Sequence, residues 1–144
     1  PVVLPHSPGL LSRRERQERA LLAMCIAKPD EGKACLEKLE PRLLSSPLAV
    51  RAVEWLRGHL EDPAAGLDPA DRELHQMIAS LALRYEPGKV GEGSIHRGFL
   101  QLELAELEDR ISKTTNAATR RDLNMERSRL VARVSKAEAE EISR

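Results

Sequence analysis

Histidine and cysteine are the residues in this sequence best suited to bind a transition metal. The chain has four histidines and two cysteines. They are His6, His59, His75, His96, Cys25 and Cys35. Structural zinc requires four ligands, usually supplied in closely spaced pairs. No histidine has another histidine or cysteine three or four residues away, and the cysteines are ten residues apart at apolar positions. We therefore expect no metal site and two reduced core thiols.

Glycines near a lysine, serines and carboxylates are the other groups that could support catalysis. Lys89 and the segment Gly91-Glu92-Gly93 weakly match a phosphate-binding loop, but they lack a third glycine, a Gly-Lys-Ser/Thr motif and a preceding strand. No serine lies in the strand-turn-helix pattern of a nucleophile. The carboxylates are spaced as solvated partners on helix faces. We therefore expect no cofactor and no catalytic residue, and we predict that this chain is not itself an enzyme.

The charge balance argues against nucleic acid as the main partner. The chain carries 23 basic and 23 acidic side chains, 13 of each in residues 1–90 and 10 of each in residues 91–144. Binding to phosphates generally needs a basic surplus, because released counterions supply most of the non-specific affinity. We expect no strong direct nucleic-acid binding. The longest apolar run, residues 20–27, is too short to span a membrane, and no signal peptide is recognisable, so we expect a soluble, cytoplasmic protein.

The composition predicts an all-α fold. Hydrophobic residues make up 41% of the chain, enough for a core, but aromatic residues only 2%. The apolar residues are chiefly leucine and alanine and the charged ones chiefly glutamate and arginine, all of which favour helices. A β-sandwich or barrel of this size would use more aromatic and β-branched residues.

Helix-capping signals and proline-rich stretches divide the chain. Three prolines and a glycine in residues 1–11 predict a linker from a missing upstream domain. Ser12 and Glu15 match a capping box that opens a first helix. Ser46-Pro47 and Asp68-Pro69 each match an N-cap followed by proline at the first helical position. We predict a compact helical bundle over residues 12–93, closed by a glycine-rich linker.

Residues 94–144 have a different pattern, in which Ser94 is the expected N-cap. Leucines and similar residues recur at coiled-coil spacings of three, four and seven. They are Leu100, Leu104, Leu107, Ile111, Leu123, Leu130, Val134 and Ala137. Polar residues at 113–118 interrupt the pattern and predict a turn, so that two helices fold into an antiparallel hairpin. The alternative is one continuous helix through 113–118.

A few apolar residues of the hairpin lie off this seam. Phe99 and Leu102 are expected to pack back towards the bundle. Met125, Val131 and Ile142 have no such role, and Val131 and Ile142 share a helix face. Either they are scattered surface residues, or they form a partner-binding stripe. In the second case the charged residues around them would form a polar rim that sets register and association rate. These rim residues are Arg127, Arg129, Arg133, Glu138 and Glu141.

The order of these segments resembles the C-terminal domain of bacterial (DnaG-type) DNA primase. The resemblance covers nearly all of residues 12–143 and depends on pattern and order. The segments that carry it are Glu18-Arg19-Ala20-Leu21-Leu22, Lys28-Pro29-Asp30, Leu43-Leu44-Ser45-Ser46-Pro47, Trp55-Leu56 and Phe99-Leu100-Gln101-Leu102-Glu103-Leu104, followed by the arginine-rich return arm.

The resemblance implies a non-catalytic module that binds the N-terminal domain of the hexameric replicative helicase, mainly through the hairpin. On that basis Met125, Val131, Ile142, Arg127, Arg133 and Glu138 are the candidate helicase-binding residues. Single-stranded-DNA-binding protein is a further partner in parts of the family, and the module alone should be mostly monomeric. Two alternatives stay open. One is the N-terminal collar of the helicase itself, which shares the bundle-and-hairpin plan; the other is an unrelated small helical enzyme or regulator.

Overall fold

The computed structural model describes residues 11–142 and confirms the all-α prediction. Within that range there are six α-helices, one 3-10 turn and no strand. The helices are α1 (Arg13–Ala27), α2 (Pro29–Lys38), α3 (Pro47–Leu56), α4 (Arg72–Arg84), α5 (Ser94–Lys113) and α6 (Ala117–Ile142), and the 3-10 turn is Pro41–Leu43. The linker predicted for residues 1–11 lies, except for Leu11, outside the described residues. Among the described helices none is both long and apolar enough to cross a membrane.

Two of the predicted helix starts are confirmed. Ser12 and Glu15 form the capping box, in which each side chain accepts a hydrogen bond from the backbone N–H of the other residue. Ser46 is the N-cap of α3 and accepts from the N–H of Ala49 at 3.1 Å, with Pro47 at the first helical position. These caps satisfy amides that have no partner within the helix.

Two other predicted starts are wrong. The N-cap of α4 is Asp71, because the carboxylate of Asp68 accepts from the N–H of Ala70 at 2.9 Å and so closes a local turn before the helix. The N-cap of α5 is Gly93, whose φ of 86° lies in the left-handed region. Ser94 is the first residue of α5, and its hydroxyl instead donates to Glu141 near the end of α6 at 2.6 Å.

The main core surrounds α1, which packs against α2, α3, α4 and α5. In the second half of α1, Leu21, Leu22, Ala23 and Cys25 are all 1% exposed or less. The buried residues of α3 and α4 join this core; they are Ala49, Ala52, Val53, Leu56, Leu74, Met77, Ile78 and Leu81. A helix buried on several sides is apolar around most of its circumference, which explains why α1 lacks a clear polar face in its second half.

Gly32 marks the closest approach of α2 to α1. A Cβ atom at this position would lie 2.2 Å from the carbonyl oxygen and 2.7 Å from the Cα of Cys25. Both atoms belong to the backbone, so a clash could be relieved only by moving one helix away from the other.

We expect Gly32→Ala to lower the free energy of unfolding by about 1–3 kcal/mol, the usual cost of overpacking a core. Gly58 is the matched control, since a Cβ atom at that position would have no neighbouring atom within 4 Å. Gly58→Ala should change stability by less than about 1 kcal/mol. Urea unfolding of both variants measures the difference, and equal stabilities would contradict the close approach.

Glu18 is a buried carboxylate that connects α1 to the corner before α3. It is 1% exposed, and both of its oxygens lie 3.0 Å from the backbone nitrogen of Ser45. The Nε of Arg14 lies 4.0 Å from Oε2 of Glu18. Burial raises the pKa of Glu18 above its ordinary value, although the hydrogen bond from Ser45 and the charge of Arg14 act in the opposite direction.

Because the folded-state pKa of Glu18 is raised, the folded chain binds this proton more tightly than the unfolded chain. The contribution of Glu18 to stability is therefore lost as the pH rises through the folded-state pKa. Glu18→Gln keeps an oxygen for Ser45 and does not titrate, so it should gain stability relative to the wild type between about pH 4.5 and pH 7. Glu18→Ala leaves the amide unpaired and should cost about 1–3 kcal/mol. Denaturant unfolding across this pH range tests both variants. If the stability of Glu18→Gln relative to the wild type falls as the pH rises, the raised pKa of Glu18 is contradicted.

Candidate protein-interaction surface

The helices α5 and α6 form the predicted antiparallel hairpin. Its seam is a second, smaller core, made of Leu100, Leu107, Leu123, Leu130 and Val134, with Leu104, Ile111 and Ala137 packed against it. These are the residues of the predicted seam. Most of α6 lies outside either core, since only three of its 26 residues are buried.

The chain reverses direction between Lys113 and Ala117, so the predicted turn is confirmed and the continuous-helix alternative is wrong. The hydroxyl of Thr114 donates to the carbonyl of Arg110 at 2.7 Å. The Asn116 side chain accepts from the N–H of Thr119 at 3.0 Å, as an N-cap does. Thr and Asn side chains favour this geometry because they hydrogen-bond to nearby backbone groups.

The hairpin is attached to the bundle through α5. Ile95 and Leu102 are buried in the main core, as expected for Leu102, whereas Leu100 and Leu107 point into the hairpin. Phe99 also packs against the main core. Gly98 allows the approach, because a Cβ there would lie 3.1 Å from Cδ1 of Leu21. One face of α5 therefore belongs to each core.

Ion pairs add to this attachment. Glu106 of α5 is 8% exposed, accepts a hydrogen bond from Arg42 of the 3-10 turn at 3.2 Å and forms an ion pair with Arg110 at 2.9 Å. At the other end of the hairpin, Glu141 binds both Ser94 and Arg97 of α5. The Arg42–Glu106 pair connects α5 to the bundle, whereas the contacts of Glu141 connect the two helices of the hairpin to each other.

The six candidate residues of α6 do not lie on a single surface. At 100° per residue, Arg127, Val131, Glu138 and Ile142 fall within about 60° of one another, beside the buried seam. Met125 is about 120° from Val131 and Arg133 about 160° from it, so both lie on other faces. Ile142 is 86% exposed and Met125 55% exposed, whereas Val131 is half-buried.

The face that carries Val131 borders a groove between α1 and the hairpin. The groove has a volume of about 490 Å³. Arg13, Arg14 and Gln17 of α1 form one wall, and Leu104, Ala105 and Glu108 of α5 and Val134 and Glu138 of α6 contribute to the other. Arg127 also joins this side of the hairpin, because its guanidinium donates to Glu108 at 3.0 and 3.1 Å. We call this surface, with Val131 and Ile142, the α1–α6 groove.

The residues of α1 in this groove were missed by the sequence analysis. Arg13 and Gln17 are exposed or half-exposed and four residues apart, a spacing that indicates a common helix face. Nothing in the sequence indicates that this face lies next to α6. Arg14 bridges the two parts, since its guanidinium lies 3.9 Å from Asp109 of α5.

The groups considered for metal binding do not come together as a ligand set in the described part of the chain. Within residues 11–142 no three histidine, cysteine or acidic side chains are grouped so that they could hold a metal ion. His59 stacks on Trp55 with ring centroids 3.6 Å apart, and its Nδ1 lies 2.8 Å from the carbonyl oxygen of Trp55. His6 lies outside the described residues. Both described cysteines are free thiols.

Comparisons with known proteins give no assignment. No protein-family model matches this chain, and neither the curated proteins nor the solved structures provide a significant match.

Because Met125 and Ile142 are exposed, substitutions there should leave the stability of the fold nearly unchanged. We expect Met125→Asp and Ile142→Asp to change the free energy of unfolding by no more than about 0.5 kcal/mol, as is usual for surface substitutions. Leu130→Ala, which truncates a buried seam residue, should cost about 2–5 kcal/mol. Thermal and urea unfolding measure all three. A large loss of stability in Ile142→Asp would show that this side chain is buried.

Proposed function

We propose that this chain is a non-catalytic protein-interaction module of a bacterial DNA primase and that its hairpin binds the N-terminal domain of the replicative helicase. In this role it would couple primer synthesis to DNA unwinding in the bacterial cytoplasm. The resemblance described above and the all-α bundle-and-hairpin architecture support the assignment. Single-stranded-DNA-binding protein is a second proposed partner.

The observation that carries the proposal is the small buried fraction of α6. At 1.5 Å per residue its 26 residues extend about 39 Å. Only Leu123, Leu130 and Val134 are buried. A helix of this length gains most of its stability from packing, and α6 has one narrow apolar seam. The remaining surface is available to a partner of matching length.

Apolar and charged groups have different parts in the proposed interface. Ile142 and Val131 gain burial only from a partner, and each fully buried side chain of this kind contributes roughly 1.5–3 kcal/mol. Arg127 and Glu138 lie beside them on the same face. Charges at a rim mainly determine orientation and association rate. The α1–α6 groove therefore has both an apolar anchor and a polar border.

The formal net charge of zero favours a protein as the partner rather than DNA or RNA. In the groove the cationic Arg13 and Arg14 lie opposite the anionic Glu108 and Glu138. A surface with both signs of charge matches a protein surface of mixed charge better than a phosphate backbone.

We expect Val131→Asp/Ile142→Asp to weaken binding to the cognate hexameric helicase at least about tenfold, since tenfold corresponds to 1.4 kcal/mol and two apolar contacts are lost. Leu83→Asp is the matched control, because Leu83 is also 86% exposed but lies on α4. Binding is measured by calorimetry or surface plasmon resonance, with circular dichroism to verify folding. Point substitutions are cleaner than deletion of residues 94–144, which would also remove Ile95 and Leu102 from the main core.

The possible outcomes distinguish an error in the proposed function from an error in the choice of docking face. If the wild type does not bind the helicase, the proposed function is wrong. If it binds and the double variant binds equally well, the docking face is wrong, and Met125→Asp then tests another face of α6. Sedimentation of the chain alone at micromolar concentration should show a monomer. A closed oligomer would instead favour the helicase collar.

A further inference from the structure

The two cysteines meet where α1 and α2 are closest. Gly32, which lies three residues before Cys35 and therefore on nearly the same face of α2, approaches the backbone of Cys25. The side chains of Cys25 and Cys35 interact across this contact, and each shifts the pKa of the other. Both are free. The two sulfur atoms are therefore neighbours in the fold, although ten residues separate them in the sequence.

Cys35 opens onto a cavity that Cys25 does not line. A cavity of about 360 Å³ lies between α2, the start of α5 and the end of α6, and Cys35 is part of its lining together with Lys38, His96, Phe99 and Ala137. Cys25 is not part of the lining and is 0% exposed, whereas Cys35 is 7% exposed. The cavity is about ten times the volume of a water molecule, roughly 30 Å³. A small polar oxidant therefore fits next to Cys35 but has no direct route to Cys25.

We propose that Cys25 and Cys35 are a peroxide-sensitive thiol pair, in which hydrogen peroxide entering this cavity oxidises Cys35 and the reaction ends in a Cys25–Cys35 disulfide. In the first step the Cys35 thiolate attacks one peroxide oxygen, the O–O bond breaks, and hydroxide leaves and takes up a proton to become water. The product is a sulfenic acid at Cys35. In the second step the sulfur of Cys25 attacks that of Cys35. The sulfenic oxygen leaves with the Cys25 proton as water.

The electrostatics assign the same roles to the two sulfurs. The hydrogen bond from Cys25 and the charge of Lys38 lower the pKa of Cys35, against the effect of burial. The hydrogen bond to Cys35 and burial raise the pKa of Cys25, which holds its proton. Since the thiolate is the nucleophile, Cys35 is the sulfur that reacts with peroxide and Cys25 is the one that resolves the sulfenic acid.

The test uses the complete chain, reduced and then treated with hydrogen peroxide. We expect the mass to fall by about 2 Da as two hydrogens are lost, and the number of titratable thiols in the denatured protein to fall from two to none. Proteolysis without reductant should release a peptide pair joined through Cys25 and Cys35. Dithiothreitol should restore both thiols. Thiols that persist at peroxide doses that oxidise free cysteine, or disulfides only between chains, would overturn the proposal.

Single substitutions test the order of events. Cys25→Ser removes the resolving sulfur, so dimedone, a reagent specific for sulfenic acids, should label Cys35. Cys35→Ser should leave Cys25 unlabelled under the same treatment, since Cys25 is not part of the cavity wall. Labelling of Cys25 at the same rate would overturn the assignment of Cys35 as the attacking thiol. The peptide mapping of the wild type decides the disulfide itself even if a variant fails to fold.

Discussion

The burial of α1 on several sides is the constraint on which the rest of the structure depends. Four helices pack against it, and close-packed interiors leave little room for adjustment. The contact with α2 therefore requires a glycine at position 32, and the contact with α5 brings Gly98 against Leu21. At its polar end the same helix places Glu18 under the corner that precedes α3. The positions of α2, α5 and the corner before α3 are thus determined by their contacts with α1.

The helix α5 transmits that constraint to the hairpin. Its residues alternate between the two cores, with Ile95 and Leu102 in the first and Leu100 and Leu107 in the second. The direction of the hairpin is therefore set by the packing of α5 on α1. Arg14 and Glu106, which pair with groups across this boundary, contribute to the same alignment. The α1–α6 groove exists because of this alignment.

Local signals predicted most of the helices, and the errors have local causes. The seam of the hairpin follows from spacing alone, because three- and four-residue repeats place side chains on one helix face. Asp68 and Ser94 are typical N-cap residues, but a turn bond to Ala70 and a tertiary bond to Glu141 use their side chains instead. Whether such a side chain caps a helix or makes another hydrogen bond depends on the local turn and on residues far away in the sequence. A sequence pattern does not show either.

The candidate site was predicted only in part for the same reason. Periodicity placed Val131 and Ile142 on one face of α6, but the walls supplied by Arg13 and Gln17 depend on how the hairpin packs against α1. The pairing of Cys25 with Cys35 likewise depends on the α1–α2 packing angle, which Gly32 permits and the spacing of ten residues does not specify.

The two proposed sites lie on opposite flanks of the hairpin and can be studied separately. Glu138 borders the groove next to α1, whereas Ala137 and Glu140 line the cavity above Cys35. Successive residues of a helix are 100° apart, so one helix, α6, contributes to both surfaces through different faces. A disulfide would form between α1 and α2, beneath the cavity and away from Val131. Its direct structural effect is therefore on the packing of the bundle, and it reaches the docking face only through α1 and α5, the two helices that connect the cores.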